Sequence, residues 1–298
     1  MSFVGLELAG RIVNASGTFD AIAARRAFGD ALLDGFPFSA FVTKTVTLEP
    51  RQGNPPPRLY ELGGGMINSI GRPNKGLRGF LAEDLPRLAE LPVPLIVNVM
   101  GSAAEQVAEL VAVLGEREEV AALELNVSCP NVRTGLLMGA DPGETAALLD
   151  AVRSRTAKPL IVKLTPNCAA PELVAAAAER HGADAVSLVN TLRGMAMHPA
   201  RPREPWLGGG SGGVSGPALR AVALAQVRAV REQVRLPIVG MGGVQTGRHA
   251  RDLLDAGADL VAVGTESFRD PRAGARIAAE LGRIDANSGI AAAALRAL

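Results

Sequence analysis

Val93-Pro94-Leu95-Ile96-Val97-Asn98 is a short apolar run entered through proline and closed by a polar amide. Proline suits the first residue of a strand, where the ladder does not yet need its missing N–H. The same design returns in Lys158-Pro159-Leu160-Ile161-Val162-Lys163 and in Leu236-Pro237-Ile238-Val239-Gly240. Runs of a second kind follow helical stretches: Ala122-Leu123-Glu124-Leu125-Asn126, Gly182-Ala183-Asp184-Ala185-Val186-Ser187-Leu188-Val189 and Gly257-Ala258-Asp259-Leu260-Val261-Ala262-Val263-Gly264. Gly182 and Gly257 are placed to supply the left-handed residue that ends the preceding helix. The runs are rich in Val, Ile and Leu, as strands buried on both faces must be.

Working outward, eight strands are expected near residues 13–15, 41–43, 95–98, 123–126, 160–163, 185–189, 238–240 and 260–263. Helices fit between them. Ser102 can cap a helix running to about Leu114, Asp141-Pro142 and Asp270-Pro271 each set an N-cap before proline, and Thr246 can open a helix through Ala256. Alternating strand and helix implies parallel pairing with right-handed crossovers. Eight such units close as an α/β (βα)8 TIM barrel, with residues 1–298 as a single domain; an open doubly wound sheet is the alternative. Residues 3–8 and 11–13 read as a small hairpin capping the barrel floor. The connections 45–74 and 191–216 are too long for simple turns and follow strand ends, the face on which barrels carry their sites.

Composition narrows the classes of function. With 31 basic and 30 acidic residues and 48% hydrophobic content, there is material for a large core and no charge excess for nucleic acid. The two cysteines, Cys129 and Cys168, form no C-x-x-C pair, and His181, His198 and His249 are scattered, so neither an iron–sulfur cluster nor a bound metal is expected in this chain. No apolar run reaches the roughly 20 residues that span a bilayer. The first residues lack a secretory pattern, and the reading is a cytoplasmic protein with no membrane partner.

The strand ends carry a consistent polar set: Lys44, Asn98, Asn126, Lys163 and Asn190-Thr191. One such asparagine often only ties loops together. Three asparagines and two lysines at one mouth must be satisfied by a network or a ligand. Amides both donate and accept, matching a ring of alternating C=O and N–H groups, while lysine suits a carboxylate or an electron-rich ring edge. Gly242-Gly243 and Gly264-Thr265 follow adjacent strands, where free backbone N–H groups and helix starts form the usual phosphate position of many barrels; ordinary tight turns are the plainer reading of either pair alone. Residues 208–213 satisfy G-x-G-x-x-G but follow no strand, so they are not a dinucleotide fingerprint.

Cys129 lies three residues beyond Asn126, on a loop at the mouth, whereas Cys168 reads as a small apolar residue. A thiol of ordinary pKa about 8.5 can serve as nucleophile or as base for a carbon acid. No histidine adjacent in sequence suggests Cys–His activation, which favours base.

Together these segments resemble the class 1 dihydroorotate dehydrogenases over nearly the whole chain. The resemblance rests on Asn14-Ala15-Ser16-Gly17-Thr18, the run 43–55 from Thr43-Lys44-Thr45 to Gly53-Asn54-Pro55, Asn68-Ser69-Ile70-Gly71, Asn126-Val127-Ser128-Cys129-Pro130-Asn131, Asn190-Thr191, Gly212-Gly213-Val214-Ser215-Gly216-Pro217 and Gly240-Met241-Gly242-Gly243. It implies an FMN-bearing barrel that oxidises (S)-dihydroorotate to orotate in pyrimidine synthesis, with Cys129 taking the C5 proton while hydride leaves C6. Substrate would be gripped by Lys44, Asn68, Ser69, Ile70, Gly71, Arg72, Asn126, Asn190 and Thr191. FMN would contact Ser16, Lys44, Thr45, Asn98, Asn126, Lys163 and Val189, with its phosphate on Gly216, Gly242, Gly243, Gly264 and Thr265. The loop from Ser128 to Asp141 would act as a lid.

Cysteine rather than serine as base argues against the membrane-bound class 2. Within class 1, residues 45–51 and Arg133-Thr134-Gly135 resemble the NAD-linked subclass 1B catalytic subunit. That resemblance implies a homodimer core joined in a heterotetramer to a subunit carrying FAD and a [2Fe–2S] cluster. The fumarate-linked class 1A is the alternative. Arg72-Pro73 departs from the family, which more often has Leu followed by Gln or Pro. Competing readings are an FMN barrel acting on a related dihydropyrimidine, a Schiff-base aldolase using Lys163, and a barrel kept as a binding partner.

Overall fold

The computed structural model describes residues 1–128 and 138–296, with side chains described as far as residue 287. Fourteen strands are described among these residues. A hairpin of β1 (Ser2–Phe3) and β2 (Leu6–Glu7) precedes β3 (Ile12–Asn14) and β4 (Phe41–Val42). Next come β5 (Leu59–Leu62), β6 (Gly65–Asn68), β7 (Leu95–Val99), β8 (Ala122–Asn126), β9 (Leu160–Lys163) and β10 (Ala185–Leu188). The last four are β11 (Leu192–Gly194), β12 (Gly212–Ser215), β13 (Ile238–Met241) and β14 (Leu260–Val263). Eight of them form one parallel sheet in the order β3-β14-β13-β10-β9-β8-β7-β4. These are the eight expected strands, with no bound shifted by more than one residue, and with helices between them they form the (βα)8 TIM barrel.

The two ends of the series, β3 and β4, meet through side chains. Asn14 Nδ2 donates to the Val42 carbonyl and Asn14 Oδ1 accepts from the Val42 N–H, both at 2.8 Å. Above this seam Ser16 Oγ donates to the Thr43 carbonyl at 2.8 Å, and below it the Ser39 N–H reaches the Ile12 carbonyl at 2.9 Å.

Strand side chains alternate between two cores, as a period of two requires. Val13, Val42, Ile96, Ala122, Ile161, Ala185, Val239, Leu260 and Ala262 face inward and pack on Phe3 and Leu8, which close the floor. Leu95, Val97, Leu123, Leu125, Leu160, Val162, Val186 and Ile238 face outward against the helices. The expected floor hairpin is therefore present, but it consists of β1 and β2 alone. Residues 12–14 are in the barrel wall because Ile12 and Val13 pair beside Val261 and Ala262.

The two strand types are tied together at the floor by a repeated device. Asp184 Oδ2 accepts the Leu160 N–H at 2.8 Å and pairs with Arg153, while Asp259 Oδ2 accepts the Ile238 N–H at 2.8 Å and pairs with Arg231. Each aspartate satisfies the first amide after a strand-entry proline. Gly182 (φ 85°) and Gly257 (φ 118°) adopt the expected left-handed conformation.

Helix starts match in part. Asp141 caps Pro142–Val152, accepting from the Glu144 N–H at 2.9 Å, and Thr246 caps Gly247–Ala256, accepting from the His249 N–H at 3.2 Å. Ser102 is not a cap: the helix Ala104–Gly115 starts later, and the Gln106 carboxamide instead reaches back to the Ser102 N–H at 2.8 Å. Asp270 likewise stands before the last helix rather than at its first turn, accepting from the Arg272 N–H at 2.9 Å.

The two long connections are not merely loops. They form one antiparallel sheet, β11-β12-β6-β5, with Gly213 opposite Asn68 and Val214 opposite both Leu192 and Ile67. Ile67, Ala196 and Leu207 form its own small core beside Tyr60 and Trp206. The glycine cluster serves close approach here: a Cβ on Gly213 would lie 2.0 Å from Thr191 Oγ1. No helix among the described residues is long and apolar enough to cross a membrane.

Candidate active site

Parity along the strands builds the mouth. Asn98 is two residues above Ile96, Glu124 two above Ala122, Lys163 two above Ile161 and Ser187 two above Ala185, so all four continue the inward face. All four are buried at 0–4% exposure. Asn98 Nδ2 donates to Glu124 Oε2 at 2.6 Å, and Ser187 Oγ donates to Glu124 Oε1 at 2.7 Å. Lys163 Nζ lies 3.8 Å from Glu124 Oε2. Asn98 Oδ1 is buried without a hydrogen-bond partner among the described residues.

Glu124 was not among the site residues expected from sequence. Its signal was present: an acid inside an apolar strand, two residues before Asn126 and hence on the same face.

A second cluster lies at the ends of β8 and β10. Asn126 Oδ1 accepts from Asn190 Nδ2 and from the Ser128 N–H, each at 3.3 Å, and Asn190 Nδ2 also donates to Ser128 Oγ at 2.8 Å. The Thr191 N–H donates to Asn190 Oδ1 at 2.9 Å. Asn126 stands in register with Lys163 on the neighbouring strand, so the two clusters are continuous. Val189, joined to Leu188 by a cis peptide, is buried, with its N–H on the Met241 carbonyl at 2.9 Å. Cys129, Pro130, Asn131 and Arg133-Thr134-Gly135 lie outside the described residues, as does most of the expected lid.

Lys44 is exposed at the rim, near Gly17 and Ser16, with Thr45 buried beside it. Partial burial of its ammonium pushes the Lys44 pKa below the usual lysine value; Asp20 opposes the shift and Arg58 adds to it.

The segment 68–72 enters from β6. Asn68 Nδ2 donates to the Gly213 carbonyl at 3.3 Å. Ser69 Oγ donates to the Ser211 carbonyl at 2.8 Å and accepts from Asn54 Nδ2 at 3.0 Å, so this hydroxyl is committed to holding the loop. Ile70 accepts the Asn54 N–H at 3.1 Å through its carbonyl. Gly71 and Arg72 both take left-handed backbone, φ 73° and 56°. The Arg72 guanidinium sits 3.2 Å from Met100 Sδ, and its Nε has no hydrogen-bond partner among the described residues.

Of the residues expected at the phosphate position, Gly216, Gly243 and Thr265 lie together. A Cβ on Gly216 would lie 2.8 Å from Gly65 Cα and 3.6 Å from Thr265 Cγ2, and one on Gly243 would lie 3.0 Å from the Gly216 carbonyl oxygen. Gly216, Gly242 and Gly243 have φ of 94°, 134° and 68°. Gly264 and Thr265 lead from β14 into the short helix Glu266–Arg269. Nearby, burial lowers the pKa of His249, reinforced by Arg220.

The sequence profile described as dihydroorotate dehydrogenase matches residues 1–284. The chain belongs to the dihydroorotate dehydrogenase family. A Solibacter usitatus protein, described provisionally as dihydroorotate dehydrogenase A (fumarate), is 45% identical over 290 residues, covering 96% of this chain and 93% of its own. The dihydroorotate dehydrogenase B (NAD(+)) catalytic subunit of Pelobacter propionicus is 44% identical over 292 residues, with 98% and 94% covered. That of Desulforudis audaxviator is 43% identical over 294 residues, with 97% and 93% covered.

The residues present fit a flavin of this family. An unpartnered buried acceptor on Asn98 and a buried ammonium on Lys163 match a ring N–H and an electron-rich edge. Among the described residues no group of three or more His, Cys, Asp or Glu could hold a metal. Cys168 packs against the outer core, its Sγ 3.6 Å from the Ala140 carbonyl.

Proposed function

We propose that this chain is a single FMN-binding domain, residues 1–298, that oxidises (S)-dihydroorotate to orotate in the cytoplasm. The observation that carries the reading is Asn126 in register with the buried Lys163 at the ends of β8 and β9, with Cys129 three residues further on. Asn98, Asn126, Lys163, Ser16, Lys44, Thr45 and Val189 would hold FMN, and Gly216, Gly242, Gly243, Gly264 and Thr265 its phosphate. FMN, when bound, supplies the acceptor for the hydride leaving C6.

The protein's own part is to hold, orient and deprotonate. Cys129, as thiolate, takes the C5 hydrogen as a proton while the C6 hydrogen leaves as hydride, and the electron pair of the broken C5–H bond forms the C5–C6 double bond. Asn126 and Asn190 orient the amide edges of the substrate, and Lys44 meets its carboxylate with positive charge. The backbone from Asn68 to Arg72, with Thr191, closes around it; the Ser69 side chain contributes by fixing that backbone. Lys163 offers a fixed positive charge where negative charge develops, and such preorganised charge needs no rearrangement during reaction.

The electrons pass on to NAD through a partner subunit carrying FAD and a [2Fe–2S] cluster, in a heterotetramer built on a homodimer. The NAD-linked relatives from Pelobacter and Desulforudis support this route, and the Solibacter relative, named for fumarate, favours the alternative. Purified chain is expected to be yellow, to lose its flavin colour on anaerobic dihydroorotate but not on dihydrouracil, and to reduce fumarate poorly by itself. Turnover of dihydrouracil alone would overturn the substrate. Efficient fumarate reduction would overturn the NAD route.

A further inference from the structure

We infer that Glu124 is the positioning residue of this site, setting which way the Asn98 amide points and holding the Lys163 ammonium at the mouth. The inference rests on the FMN reading above and concerns a side chain to which that reading gives no role.

A carboxylate only accepts hydrogen bonds. Asn98 must therefore present its Nδ2 to Glu124, which it does at 2.6 Å, and its Oδ1 is left facing away, without a partner among the described residues. Ser187 Oγ occupies the other carboxylate oxygen at 2.7 Å and so fixes the plane of the acid. The consequence is a single acceptor of fixed orientation at full burial, the complement of a ring N–H between two carbonyls. An apolar residue at 124, with no acceptor to offer, would let the amide reverse.

Lys163 is held differently. Its Nζ is 3.8 Å from Glu124 Oε2, beyond hydrogen-bond range, so the two are coupled by charge alone and the ammonium keeps its three donors for other acceptors. Replacing a buried ion pair by apolar residues is often neutral or stabilising, so stability alone gives little reason for an acid here. Glu124 balances Lys163 while the site is empty of negative charge and leaves it available when that charge appears.

The test compares wild type, Glu124→Gln and Glu124→Ala by FMN titration and by the two-electron midpoint potential of the bound flavin. The glutamine carbonyl can still accept from Asn98, so Glu124→Gln keeps its affinity for oxidised FMN. With its counter-charge gone, Lys163 then favours reduced over oxidised flavin by about tenfold, equivalent to a rise of about 30 mV. Glu124→Ala frees the Asn98 amide and lowers FMN affinity by about tenfold or more, about 1.4 kcal/mol. If the alanine variant does not fold, the potential of the glutamine variant decides alone. Wild-type affinity and potential in both variants overturn the inference, as does a loss of melting temperature with the potential unmoved. A wild-type chain that binds no FMN overturns the functional reading itself.

Discussion

The Asn14 carboxamide and the Val42 peptide face each other in two hydrogen bonds of 2.8 Å, one in each direction. A side chain thus does at the barrel seam what backbone pairing does elsewhere in the wall. Asn14 is fully buried, so removing its amide strands one donor and one acceptor away from water. Asn14→Leu is expected to lower stability by about 2–4 kcal/mol. Urea unfolding should show a lower midpoint with an unchanged slope.

Cys129→Ala is expected to leave a folded, yellow protein whose reduction by dihydroorotate is slowed about 100-fold or more, the usual contribution of a positioned base. Stopped-flow absorbance of the flavin is the measurement, and near-normal reduction would remove Cys129 from the role. In wild type, reduction should rise with pH toward the thiol range near 8.5.

Lys44 gives the opposite pH dependence. Its pKa is lowered chiefly by burial, so the ammonium loses its proton at a pH below the ordinary lysine range. Orotate binding that uses this charge is full at low pH and weakens as pH rises through the lowered value. Titration of flavin absorbance with orotate between neutral pH and pH about 10 should show affinity falling. Lys44→Met should bind weakly at all pH values and lose the dependence.

Gly243→Ala probes the phosphate corner. With φ of 68° and the Gly216 carbonyl oxygen 3.0 Å from the new Cβ, alanine must shift the turn or strain it. A strain of about 1–3 kcal/mol, expressed in the bound state, corresponds to FMN affinity weaker by about 5- to 150-fold. Equilibrium dialysis of FMN checks this, and unchanged retention would place the phosphate elsewhere.

Much of the barrel was legible before folding because its signals are local. A proline entering Leu160–Lys163, a glycine at 257 and an alternation of apolar strands with capped helices depend only on neighbours within a turn or two of chain. The ends of those strands, from Asn98 to Asn190, identified the mouth for the same reason: a polar residue closing an apolar run is visible in one dimension. Ser102 misled because capping depends on where the backbone turns, and here Gln106 reaches back across that turn. Ser69 stood in the expected substrate loop, but its hydroxyl is taken by Ser211 and Asn54, residues distant in sequence.

What the sequence alone determined is therefore the parallel α/β barrel, its strand order along the chain and the identity of most residues at its open end. What only the tertiary structure decided are pairings across long separations. Asn14 meets Val42 to close the wall, β6 and β12 join two remote connections into one sheet, and Glu124 gathers Asn98, Lys163 and Ser187 from three other strands. The physical reason is common to all three. A buried polar group must find its partner wherever the closed barrel brings one, and closure places side by side residues whose separation along the chain carries no trace of that contact.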